Sequence, residues 1–452
     1  RCQLTYHFSP EMLPLLLSLS TAVPPRLRAA ATEFAAVHAW RDLAQAPFVF
    51  PEERDAAVMK RPPSALCFSG GGARAYSATM GFVRGLTDAD LMKQFRYISG
   101  ASGGAWGTTA YTYAQVGAPG VAASDEELLG DIVAPNAITL AGLAQISKTC
   151  LRGSVTLGAT SIFFEQMLKL ELDVRRSMIA TLHDVFLARA GIPPPFSSSG
   201  GDGAPFAYSA AAAADATARN PAALGALKPS DWLLPPTTVD RPMLAIGASL
   251  VLQARLHTCA HTLTYSRSLS LSLSRAHTHT HTGFTLIAPK AVAPLNKANR
   301  SYAVIEASAF GIGIPRAGRI SYSSKDAKKD ESAIVGGVIE PFAFGSEAPG
   351  APAGFLPVNA TAATLSGVPL PAERFTLAHA SAASGWAWAD VIAADAGALA
   401  PSLDGVLGFG VPLWSVAAEE KAPSPIFEIG DAGITENLHL ISLLRRTSLK
   451  HF

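Results

Sequence analysis

Two glycine-rich turns lie close together in the first quarter of the chain: Ser69-Gly70-Gly71-Gly72-Ala73-Arg74 and Gly100-Ala101-Ser102-Gly103-Gly104. The second fits G-x-S-x-G, a sharp elbow that lifts a serine hydroxyl out of a sheet. Each turn follows a short apolar run, Ala65–Phe68 or Phe95–Ser99, and each precedes a helix-compatible segment. Two strand–turn–helix units side by side aim two helix N-termini at one spot, where free N–H groups and partial positive charge hold an anion. A serine beside a backbone anion hole is suited to acyl transfer, with Ser102 as nucleophile. Gly71 and Gly72 are the candidate oxyanion donors, since no Cβ obstructs approach to their N–H groups.

SGGGARA followed by YISGASGGAW resembles the catalytic core of the patatin-like and cytosolic phospholipase A2–lysophospholipase superfamily. The resemblance implies a Ser–Asp dyad without histidine that cleaves fatty-acyl esters of phospholipids or lysophospholipids. The run IFEIGDAGITENLHLISLLRR is similar to the family's later strand, D-G-G turn and following helix, which implies Asp431 as general base. Ala432 stands where the family has glycine and His439 where it has proline. Arg74 matches the family arginine that faces the substrate phosphate. No cofactor and no metal are implied, and the implied partner is a lipid surface. Calcium-regulated relatives carry a strand-rich docking domain with paired aspartates before the core. The first 63 residues lack that pattern, so calcium dependence is not expected.

The elements that must position these residues are expected to form an α/β fold, a patatin-like sheet with a parallel core flanked by helices. Ser102 and Asp431 would then meet at the C-terminal ends of strands sharing one parallel sheet. Residues 1–63 read as a helical extension packed on the core, with Leu27–Leu43 as an alanine-rich helix. Residues 64–452 read as the catalytic domain. Within it, Arg74–Leu86, Gly103–Val116, Asp125–Gly142, Ser161–Gly191 and Ala378–Ala394 read as helices. Met243–Val251 and Phe284–Pro289 read as strands. Pro193–Ala226 reads as a loop or lid, and Lys325–Glu331 as a solvated loop. The family's fold continues beyond the final helix, so the stop at Phe452 leads us to expect a sheet truncated at that end.

Residues 252–283 interrupt the domain with HTCAHTLTYSRSLSLSLSRAHTHTHT at their centre, alternating Ser-Leu and His-Thr as translated dinucleotide-repeat DNA would. His277, His279 and His281 would share one face of a strand and could bind a metal. The reading taken is low-complexity loop, dispensable to the fold.

Of the 452 residues 49% are hydrophobic and 16% charged, with a net charge of +1, so a sizeable core is possible and nothing points to nucleic acid. The four cysteines are scattered, as free thiols in a reducing compartment would be, giving a cytoplasmic protein peripheral at membranes. No transmembrane segment is expected.

Three alternatives use the same residues. Gly70-Gly71-Gly72-Ala73-Arg74-Ala75 also fits a dinucleotide-binding turn, which leaves the serine elbow without a role. An α/β-hydrolase would need a histidine after its acid, and His439 and His451 follow Asp431. A catalytically dead or non-enzymatic lipid-binding protein could keep the motifs. Ser384, in Ala383-Ser384-Gly385, is a rival nucleophile without an elbow, better explained as a small-residue packing contact.

Overall fold

The computed structural model describes residues 33–41, 49–139, 141–142, 150–151, 166, 169, 173–196, 203–237, 240–252, 301–323, 330–347, 356, 360–386, 409–412, 426–446 and 448–451. Among these, one mixed sheet contains β1 (Phe34–Trp40), β2 (Ala65–Phe68), β3 (Tyr97–Ala101), β4 (Met243–Leu252), β5 (Ser301–Ser308), β6 (Ile312–Ser323), β7 (Asp330–Ile339), β8 (Ala362–Pro369), β9 (Gly410–Pro412) and β10 (Ile426–Gly430). The main order is β2-β3-β4-β5-β6-β7-β1-β8. β2, β3 and β4 are parallel, and from β4 onward neighbours are antiparallel. Every residue of β3 is buried, as expected of a strand covered on both faces.

The helices that bear on the site are α1 (Gly72–Asp88), α2 (Gly103–Thr112), α3 (Asp125–Leu129), α4 (Val174–Leu182), α5 (Ala210–Arg219), α6 (Leu377–Ser384) and α7 (Leu440–Leu444). In α1, Tyr76, Thr79, Met80 and Val83 are buried at helical spacing, and this face packs on α2, where a Cβ on Gly107 would come within 2.9 Å of Thr79 and 3.0 Å of Met80.

The route to Asp431 differs from the one expected. β10 runs antiparallel to β4, not parallel, with Gly430 opposite Ser249. On the same edge of β4, β3 runs parallel and ends with Ala101 opposite Gly247. β5 occupies the other edge. β3 and β10 therefore approach each other end to end along one strand, and both stop level with Ala248. Residues 102 and 431 are the next in each chain, so the sheet register itself brings them together.

Within Leu27–Leu43, the described Phe34–Trp40 is a strand and not a helix. Ala35, Val37 and Ala39 face the core in alternation, and β7 and β8 flank them. The alanines that suggested a helix serve as small inward residues of period two, so tertiary pairing overrides propensity. β1 thus lies within the sheet rather than in a helical extension on it. In Asp125–Gly142 the helix ends at Leu129, where Gly130 turns to φ 73°. Pro193–Ala226 contains α5, whose alanine run is capped by Ser209 Oγ accepting from Ala212 N at 3.2 Å. Asp330 and Glu331, read as loop, begin β7.

Residues 253–300, with the whole repeat and Phe284–Pro289, lie outside the described residues. The flanks do not: Leu252 pairs directly with Ser301 across the β4–β5 ladder. Those two residues stand at the separation that a hairpin turn closes. Replacing residues 253–300 by a two-residue Asn-Gly turn is expected to leave the thermal midpoint equal or higher. A lost folding transition would contradict that reading.

Behind β3 and β4, α7 is locked by Arg446. Its side chain is fully buried, its Nε donates to Glu52 Oε1 at 2.7 Å and its Nη1 to Glu306 Oε2 at 3.0 Å. The guanidinium also lies 4.0 Å from the Phe50 ring centroid and 4.9 Å from that of Tyr97. Burial would raise the Glu306 carboxyl, but the Arg446 charge and hydrogen bonds outweigh it and hold it low. Burial pushes Glu52 up.

Candidate active site

Ser102 sits where β3 passes into α2, with φ 49° and ψ −124°, one of three non-glycine residues with positive φ among those described. A serine at a helix N-cap ordinarily turns its hydroxyl onto the helix's own N–H groups. Ser102 makes no such bond. Its Oγ donates instead to Asp431 Oδ2 at 2.8 Å, across 329 positions of chain. Asp431 Oδ1 accepts from Gly433 N at 2.7 Å, so the carboxylate is oriented by its own turn while its other oxygen faces the serine. Ala432, in the family's glycine position, is accommodated and buried.

The two glycine turns interlock. A Cβ on Gly103 would lie 2.0 Å from the Gly72 carbonyl oxygen, and one on Gly104 2.6 Å from that of Ser69. Only glycine lets the start of α2 approach the first turn this closely. Gly71 and Gly72 have φ 139° and 63°, which glycine alone adopts readily. The N–H groups of the first turn of α1 have no partner inside the helix, and that turn abuts Ser102. Gly70 N donates to both the backbone oxygen and Oδ1 of Asn437, each at 3.0 Å, which ties the first turn to the segment following Asp431. Sequence reading passed over Asn437, although it stands in the E-N pair of the final motif. Arg74 is exposed on the first turn of α1.

His439 does not join the dyad. It is buried against Gly247, where a Cβ would come within 2.6 Å of the imidazole. Neither ring nitrogen has a partner in hydrogen-bond geometry, although the nearby Ala245 carbonyl favours the protonated form. Burial lowers the imidazole to about 4. His451 is exposed and its backbone oxygen accepts from Ala65 N. Neither histidine bonds Asp431 in the hydrogen bonds described, so these two do not supply the α/β-hydrolase arrangement. A depressed histidine gives stability that is present above its unfolded value and lost as pH falls through the folded one. Because the unfolded chain takes up the proton first, lowering the pH from about 6.5 to about 5 is expected to cost about 1.5 kcal/mol through His439. His439→Asn, which tolerates the φ of 52°, should reduce that slope in urea titrations at the two pH values. An unchanged slope would contradict this assignment.

Ser384 is fully buried in the last turn of α6, away from any strand-to-helix elbow. Its Oγ accepts from Ser102 N at 2.9 Å, a polar role in place of the simple packing contact expected.

Elsewhere, His38, Asp215 and Glu340 bring three potential ligand atoms within 4.8 Å of one another. Arg219 already donates to both carboxylates, at 3.0 Å to Asp215 and 2.5 Å to Glu340, so a guanidinium occupies the lone pairs a metal would need and offsets one of the two charges. His277, His279 and His281 lie outside the described residues. Cys67 and Cys150 are free thiols. Among the described residues no helix is long and apolar enough to cross a membrane.

The arrangement is an α/β fold presenting a serine–carboxylate pair beside a glycine-built helix N-terminus. The family model of the patatin-like phospholipases matches residues 66–186, in agreement with the resemblance read from the motifs. The match takes in both glycine turns, Arg74 and Ser102 and ends before Asp431. No curated protein matches the chain. Among solved structures, human GIVD cytosolic phospholipase A2 is similar at 14% identity and a TM-score of 0.38, covering 99% of this chain and 50% of that one. The chain thus spans about half the length of that protein.

Proposed function

We propose that this chain is a serine lipid acyl hydrolase acting on phospholipids or lysophospholipids at a membrane surface. The observation that carries the reading is the Ser102 Oγ–Asp431 Oδ2 hydrogen bond, formed in preference to a helix cap. Ser102 Oγ attacks the ester carbonyl carbon while Asp431 takes its proton. The carbonyl oxygen becomes an oxyanion held by the Gly71 and Gly72 N–H groups, where one donor is typically worth about 3 kcal/mol in the transition state. Collapse breaks the bond to the alcohol oxygen, which leaves with the proton from Asp431. Water then attacks the acyl-enzyme with Asp431 as base, and the fatty acid is released. No step calls on a cofactor.

Residues 131–139 are exposed throughout and include Ile132, Val133 and Ile138, which suits approach to a lipid surface. Arg74 has no ion-pair partner among the described residues and is proposed to meet the substrate phosphate. A guanidinium forms charge-assisted paired bonds with phosphate. The test is release of labelled fatty acid from phospholipid vesicles, lysophospholipid micelles and a p-nitrophenyl ester. Arg74→Ala is expected to lower phospholipid turnover about tenfold and spare the neutral ester. Equal losses would assign Arg74 a structural role, and no turnover of any ester by the wild-type chain would favour the non-enzymatic lipid-binding reading.

A further inference from the structure

The end of α6 touches the backbone of both members of the dyad. Ser384 Oγ accepts the Ser102 N–H at 2.9 Å, and two residues on, the Trp386 carbonyl accepts the Asp431 N–H at 3.2 Å. Residues 102 and 431 come from strands that meet end to end without hydrogen-bonding each other, so the sheet alone does not clamp their separation. The segment that bridges them is itself fixed to α2. Trp106 Nε1 donates to the Ser381 carbonyl at 3.1 Å, Ser381 Oγ bonds Thr109 Oγ1 at 3.1 Å, and Gly385 lies so close to Trp106 that a Cβ would meet its ring at 2.5 Å. From this geometry we infer that Ser384–Trp386 is a positioning element that sets the Ser102–Asp431 distance, with Ser384 as its side-chain member.

Two physical consequences follow. Ser102 holds a positive φ that a non-glycine residue keeps only when its surroundings impose it. The bond to Ser384 supplies that imposition and satisfies an N–H in a residue that is 6% exposed. The same bond also removes the Ser102 N–H from the pool of oxyanion donors, a task the nucleophile's own amide performs in some serine hydrolases. The donors must then come from the first glycine turn. This inference rests on the acyl-hydrolase reading of the site.

The test compares Ser384→Ala with Thr181→Ala in the full chain, using a p-nitrophenyl ester and active-site titration with a fluorophosphonate. Thr181→Ala removes a buried hydroxyl from α4 that, in the hydrogen bonds described, reaches only the Ser177 carbonyl of its own helix, at 2.7 Å. Normalising turnover to titrated sites removes any fraction of chain that fails to fold. Ser384→Ala is expected to lower kcat per titrated site about 10- to 100-fold with KM changed less than about twofold, and to slow fluorophosphonate inactivation in parallel. Thr181→Ala should keep kcat per site, and Ser384→Thr, which retains the hydroxyl, should recover part of the loss. Equal losses in Thr181→Ala and Ser384→Ala, or an unchanged kcat per site in Ser384→Ala, would overturn the inference. If the wild-type chain hydrolyses no ester, the function reading fails by itself. The clamp is then read from a crystal structure of Ser384→Ala: Ser102 Oγ drawn beyond hydrogen-bond reach of Asp431 supports it, and an unchanged contact overturns it.

Discussion

Ser102→Ala is expected to lower ester turnover by more than about a thousandfold, and Asp431→Asn to do the same, with folding left intact. The expectation rests on what each side chain does in the fold. Ser102 Oγ caps no helix and bonds only toward Asp431 in the hydrogen bonds described, so its removal leaves α2 as it was. An asparagine at 431 keeps an oxygen for the Gly433 N–H but no longer has a basic oxygen to take the serine proton. Because the two act as a unit, the double variant should be no slower than either single one. Thermal midpoints should stay close to the wild type. Additive losses in the double variant, or residual turnover in Asp431→Asn near the wild-type level, would show that another group takes the proton.

The largest effect on stability is expected at Arg446. Arg446→Leu would leave Glu52 and Glu306 facing each other in the interior with their shared cation gone, and breaking a buried pair in this way costs about 3–5 kcal/mol. Burial already pushes Glu52 up, and Glu306 is held low chiefly by Arg446, so both carboxyls would move toward the protonated state in the variant. Adding Glu306→Leu to Arg446→Leu should recover part of the loss, since an apolar pair of similar volume avoids the uncompensated charge. Urea unfolding of the single and double variants measures both effects. A loss under about 1 kcal/mol for Arg446→Leu would mean that water reaches the cluster and screens it.

Much of the site was legible in the sequence because it is local. The two glycine turns each lie between a strand and a helix within a few residues, and glycine at 103 and 104 reports close backbone approach directly. Asp431 was suggested by the resemblance of its strand–turn–helix run to the family's, but the direction of its strand was not legible. A five-residue apolar run carries no sign of whether its neighbour is parallel or antiparallel, and here β10 meets β3 head on. β1 was misread because alanine suits both a helix and the small inward positions of a crowded sheet. Ser384 and Asn437 were missed as partners of the two turns for a different reason. Each side chain accepts from a backbone N–H hundreds of positions away, and no spacing in the sequence encodes that.

The central claim is that Ser102 forms the acyl-enzyme. The most direct measurement is reaction of the full chain with a long-chain alkyl fluorophosphonate, read by intact mass and by peptide mapping. The account predicts one adduct per chain, located on Ser102, absent in Ser102→Ala and much slower to form in Asp431→Asn. An adduct on Ser69, Ser384 or any other serine, or none in a chain that hydrolyses lipid esters, would contradict it.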